Sequence, residues 1–239
     1  MSQTEVAQRI LEHLQTVELE RRRRAADAAL HERVVALKAY QQRRFARTYA
    51  DLLASARYAG AARFFLEELY GPRDFTDRDT QFARVVPALA RLFSARIVAT
   101  VHTLAELHAL SEQFDSEMAS HLAGRNVDRR DYIEAWQKTG QVASRERQIA
   151  LTLDVGRALD SFTRQPLLRH SLHLMRAPAR AVGLSQLQQF LETGFDTFGQ
   201  MHGAREFLDL IAGRERALAA ALFETDLSAP ASGPLEQLP

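Results

Sequence analysis

The sequence predicts an all-α fold, a multi-helix bundle with a long N-terminal helix and a disordered C-terminal tail. Three observations predict it. Apolar residues recur at spacings of three and four along almost the whole chain, which places them on one face of a helix. A period-two run of β-branched residues bounded by turn signals occurs nowhere. The breakers are unevenly placed as well: no Gly precedes Gly60 and no Pro precedes Pro72.

The first element begins with Ser2 and Glu5, spaced as a capping box. Val6, Ile10, Leu14 and Val17 form one apolar stripe, and Leu30, Val34, Leu37, Phe45, Tyr49 and Leu52 form another. Between them runs ELERRRR, Glu18 to Arg24, read as a solvated segment where the stripe changes register. One helix from about residue 4 to 57 would be roughly 80 Å long, against a radius of gyration of about 18 Å for a globule of this size. The expectation is a helix whose first part projects or packs along a partner. This divides the chain into an N-terminal helix at 1–57, a bundle domain at 58–224 and a disordered tail at 225–239.

Ala61 to Tyr70 reads as a short helix stopped by Gly71 and Pro72. Thr76 and Asp79 repeat the capping-box spacing and open a helix that runs to a kink or restart at Pro87. Ala88 to about Leu122 is a second long periodic segment, closed by Gly124 and Asn126. Asp128 or Asp131 caps a short helix holding Tyr132, Ile133 and Trp136, and Gly140 ends it. Ser144 to Arg164 follows, then Leu167 to Met175 before Pro178. Ser185 with Gln188 supplies a third capping-box start, and helices over 185–202 and 204–224 finish the bundle. The remaining ETDLSAPASGPLEQLP has no helical stripe.

Composition excludes several function classes. The 239 residues contain no cysteine, which removes disulfides, thiolate nucleophiles, iron–sulfur clusters and Cys-type zinc sites. Lys plus Arg is 31 against 30 for Asp plus Glu, so a global positive field for nucleic acid is absent. Residues 21–57 carry a local excess of basic side chains, read first as a solvated face and with nucleic acid disfavoured as a partner. Neither a leader-like start nor an apolar run of the roughly 20 residues that span a bilayer is present. The expectation is a cytoplasmic protein without a transmembrane segment.

Two segments carry a resemblance: FFLEELYGPRDFTDRD at Phe64 to Asp79, and FLETGFDTFGQMHGAREFLDLIAGRE at Phe190 to Glu215. Their patterns, FFxxxLYGxxDFxxRD and FLExGFxxFxxMxGAxxFL, resemble an uncharacterised proteobacterial family of all-helical proteins. The resemblance implies an all-helical fold and no mechanism.

Within the first motif, Tyr70, Arg73, Asp74, Arg78 and Asp79 surround a Gly-Pro turn. One reading satisfies the charges locally, with Asp74 and Arg78 four apart and Asp79 at helix amides. The other offers Arg73 and Arg78 as forked donors to a partner or anion. In the second motif, Gly194 and Gly199 each cost helix stability, so they permit close helix approach or leave space beside phenylalanines. The latter predicts an apolar pocket lined by Phe190, Gly194, Phe195, Phe198, Met201 and Leu172.

Eight histidines raise the question of metal. His102 with Glu106, His108 with Glu112 and His202 with Glu206 stand at helical i,i+4 spacing, and His170 and His173 are i,i+3 neighbours. Neither Glu-x-x-His nor His-Glu-x-x-His occurs, so no metal site and no cofactor is expected. Walker, GxGxxG, GxSxG and DDxxD patterns are missing too. The functional expectation is a non-enzymatic helical interaction or regulatory protein, homodimeric through its N-terminal helix. The alternative is a small apolar ligand-binding protein or enzyme with a pocket among the C-terminal helices.

Overall fold

A computed structural model describes residues 2–68, 75–227 and 230–239. The described residues form twelve α-helices and contain no strand: α1 (Gln3–Ala26), α2 (Ala28–Thr48), α3 (Ala50–Ala54), α4 (Ala59–Glu68), α5 (Thr76–Leu92), α6 (Ala95–Ser120), α7 (Arg129–Thr139), α8 (Val142–Thr163), α9 (Pro166–Leu174), α10 (Arg176–Ala181), α11 (Ser185–Gln200) and α12 (Arg205–Glu224). None of these helices is long and apolar enough to cross a membrane.

The rod expected over residues 4–57 is three helices. Asp27 leaves the helical region at φ −131°, ψ 96° and breaks it. Its backbone N–H donates to the Arg24 carbonyl, and its carboxylate accepts from the N–H of Leu30, so one residue ends α1 and caps α2. A second break at Tyr49 sets off α3. Helix α1 does not project: it lies along α6 and α5. Its Ile10 and Leu14 share a core with Val86, Ala90, Val98 and Ala105, and Val6 packs at the margin. The stripe that suggested a homodimer seam is therefore covered within the chain.

Two more cores complete the molecule. One gathers Phe45, Tyr49, Phe64, Phe65, Leu153, Phe198, Met201, Phe207 and Ile211, where α4, α8, α11 and α12 meet. The other joins Leu30, Val34, Leu37 and Tyr40 of α2 to Met118, Tyr132, Ile133, Leu218 and Leu222. It also receives Leu235 and Leu238, which are 5% and 0% exposed. The tail expected to be disordered is, in its described part, a short 3-10 turn over Gly233–Gln237 docked on this core. Arg47 donates to the Leu238 carbonyl at 2.6 Å and fastens it there.

Local signals succeed where the side chain has no better use. The box at Ser2 with Glu5 forms, and of the two aspartates offered as a cap for α7 it is Asp128 that caps it, with Asp131 closing a box. Those at Thr76 with Asp79 and at Ser185 with Gln188 do not: Asp79 bonds Arg21 and His108, and Gln188 donates to the Leu172 carbonyl. Pro87 neither ends α5 nor starts a helix, since α5 runs through it to Leu92 and the next begins at Ala95. The Tyr70 to Asp74 part of the first motif lies outside the described residues.

Candidate functional site

Helix α6 runs through the middle of the bundle, with α1 and α2 packed on it from one side and α8 from another. Its sequence HALSEQFD, His108 to Asp115, is too polar for that position, because buried charges cost several kcal/mol each unless paired. Of these side chains His108, Ser111, Glu112 and Asp115 face a cavity of about 220 Å³ along the bundle axis, walled by residues from most of the long helices.

Around this cavity the charges pair across helices. Glu112 of α6 is met by Arg24 of α1 and by Lys38 of α2, whose Nζ donates at 2.7 Å. Burial opposes ionisation of Glu112, yet Lys38 and Arg24 hold its pKa down at about 2. Lys38 also lies 3.4 Å from Asp115. Burial again works against the Lys38 charge, but Asp115 and Glu112 keep its pKa above the ordinary value. For Asp115 burial wins, and its pKa is raised despite Lys38.

One turn toward the N-terminus of α6, His108 places Nε2 2.7 Å from Oδ2 of Asp79 on α5. Arg21 of α1 bonds the same carboxylate oxygen, and Arg78 stands 3.6 Å from the other. Burial resists, but His108, Arg78 and Arg21 together lower the pKa of Asp79 to about 2. A third group joins α2 to α12: Glu215 accepts from Arg44 at 2.5 Å and from the Tyr49 hydroxyl at 2.6 Å. Arg145 of α8 lies between two rings, its guanidinium carbon 3.6 Å from the centroid of Phe114 and 3.9 Å from that of Trp136. The indole Nε1 of Trp136 is buried and finds no hydrogen-bond partner among the described residues.

The residues singled out from the sequence fall unevenly on this geometry. Arg78 and Asp79 are buried at 9% and 8% exposure, so neither presents itself to a docking partner. Arg78 stacks between Phe75 and Phe190 and donates to the Glu68 carbonyl at 3.2 Å. Tyr70, Arg73 and Asp74 lie outside the described residues. Of the expected pocket, Phe190 lines the cavity, together with Leu187 and Leu191 of the same helix. Phe198 and Met201 are core residues instead, and Phe195 and Leu172 are half-buried away from the cavity wall.

Gly194 serves close approach, not space: a β-carbon there would stand 3.0 Å from Cζ of Phe64. At Gly199 a β-carbon would meet Thr163 at an ordinary 3.8 Å. Sequence reasoning misses the wall residues Lys38, Arg44, Arg145 and Glu215; the first two fall in the basic segment that reads as a solvated face. Part of the basic excess of residues 21–57 is turned inward, since Arg21, Arg24, Lys38 and Arg44 bond acids of the bundle, whereas Arg22, Arg23, Arg43, Arg47 and Arg57 are exposed.

Residues 20–229 match the model of a family described as Domain of unknown function (DUF8198). No curated protein and no solved structure matches the chain.

Proposed function

We propose that this chain, which belongs to the DUF8198 family, is a small-molecule-binding protein whose ligand occupies the axial cavity. The observation that carries this reading is the cavity wall itself. Buried ion pairs are seldom more stabilising than an apolar core of the same volume, so lining a cavity with them points to a use other than stability. Apolar cavities of about 150 Å³ accept a benzene-sized molecule, and 220 Å³ gives somewhat more room. Lys38, Arg44, Arg78 and Arg145 face Glu68, Asp79, Glu112, Asp115 and Glu215, with Arg21 and Arg24 behind them. That near balance favours a neutral or zwitterionic amphiphile with a hydrogen-bond acceptor for Trp136. The pocket of this proposal is axial, and α11 contributes one wall of it.

Native mass spectrometry of freshly purified protein tests the reading. A retained small molecule, lost in Ala219→Phe as that side chain fills the cavity from α12, is the expected result. A bare-chain mass for the wild type, with no thermal shift across a panel of neutral and zwitterionic amphiphiles, overturns it.

A second reading keeps the interaction role and is favoured by α9 and α10. Leu167 is 81% exposed, and Leu174, Met175 and Val182 are exposed beside it. With the α1 stripe covered, a homo-oligomer would meet through this face. Light scattering should then give a multiple of the chain mass that Leu167→Glu with Leu174→Glu reduces to one chain; a single-chain mass for the wild type removes the reading. A cytoplasmic, proteobacterial setting belongs to the same proposal.

A further inference from the structure

We propose that His13 of α1, with His102 and Glu106 of α6, binds one divalent transition-metal ion of the zinc type at the seam between the two helices. Each residue offers one ligand atom, and the three atoms all lie within 4.8 Å of one another. His102 and Glu106 stand one turn apart on the same face of α6. The packing of α1 along α6 brings His13 opposite them, its ring centroid 5.2 Å from that of His102 and tilted by 64°. An independent observation points to a ligand: Nε2 of His102 is buried and has no hydrogen-bond partner among the described residues. A buried imidazole nitrogen left unsatisfied is costly, and coordination would satisfy it.

The donor set decides the class of ion. Two imidazoles and one carboxylate suit zinc, cobalt or nickel, whereas magnesium and calcium call for oxygen throughout. A tetrahedral zinc with bonds of about 2.0–2.1 Å sets its donors roughly 3.4 Å apart, so side-chain rotation must close the present separations by no more than about 1.4 Å.

Arg147 of α8 donates from Nε and Nη2 to both Glu106 oxygens at 2.9 Å. It fixes the carboxylate plane and leaves one lone pair on each oxygen for the ion. Arg9 and Glu12, beside His13 on α1, oppose each other in sign. All three ligands are half-buried, so three protein donors leave at least one position open to solvent.

Titration of the full chain, carrying no polyhistidine tag, with Zn²⁺ by calorimetry and with Co²⁺ by visible absorption tests the assignment. One equivalent is expected, with a cobalt ligand-field spectrum and a raised melting temperature on saturation. Affinity should fall at least tenfold in His13→Ala, His102→Gln and Glu106→Gln, in line with the cost of losing a ligand or its support. His31→Ala, on the exposed face of α2, should bind as the wild type does. Glu106→Gln retains the shape of its side chain and guards against a folding defect at His13. No uptake by the wild type, or equal affinity in all three variants, overturns the site. Neither result bears on the axial cavity, whose wall contains none of these three residues.

Discussion

At the scale of single residues, the organising fact is that the acids of α6 and α5 meet cations from distant parts of the chain. Glu112 finds Lys38 and Arg24, and Asp79 finds Arg21, Arg78 and His108. Both carboxyls titrate at about 2 in the folded protein, against about 4 in an unfolded chain. A carboxyl lowered in this way stabilises the fold fully above its unfolded pKa, and that contribution disappears as pH falls toward the folded value. Stability measured by urea unfolding should therefore drop between about pH 5 and pH 2, with each of the two acids contributing about 2 kcal/mol. Asp115 has the opposite slope, since its pKa is raised. Asp115→Asn should make the acid loss steeper, and a stability flat from pH 5 to pH 2 would contradict the assignment. None of these pairs was legible in the sequence. His108 and Glu112 were noted for their spacing, but their partners lie on other helices, and helical periodicity carries no information about which faces meet.

At the scale of elements, most helices were legible because their apolar repeats and stop signals are local. The misses share a cause: side chains with cap chemistry were recruited by tertiary partners, as Asp79 was by His108, and a break came from a single aspartate with no Gly or Pro nearby. Gly156 of α8 was passed over among ordinary helical residues, yet it sets how closely α8 approaches α12. A β-carbon there would come within 2.5 Å of Cδ2 of the buried Leu208, whereas one at Gly213 of α12 would meet nothing within 4 Å. The same substitution should thus have opposite signs at the two positions. Gly156→Ala should destabilise by about 1–2 kcal/mol, the overpacking cost less the gain in helix propensity. Gly213→Ala should stabilise by up to about 1 kcal/mol. Chemical denaturation of the two variants side by side checks both, and equal effects would show that the α8–α12 spacing is not set by Gly156.

At the scale of the whole molecule, the chain closes on itself from both ends: α1 covers α5 and α6, and the final turn covers α2 and α12. Leu238 is fully buried although it sits in a segment whose composition resembles a disordered linker, because two leucines suffice to dock a short turn on an existing apolar surface. Leu238→Ala should cost about 2–4 kcal/mol, a drop that thermal unfolding reads directly; an unchanged transition would mean that the turn is not held. The candidate site belongs to this scale as well. Its wall draws on residues from Leu14 to Leu222, and of the residues proposed for a pocket from the sequence, the one on that wall is Phe190. The sole tryptophan of the chain also stands there, stacked on a guanidinium. Intrinsic fluorescence excited at the indole band therefore samples the interior of the bundle and nothing else, so the unlabelled protein carries its own optical probe of occupancy: a guest entering the axis must quench or shift that emission.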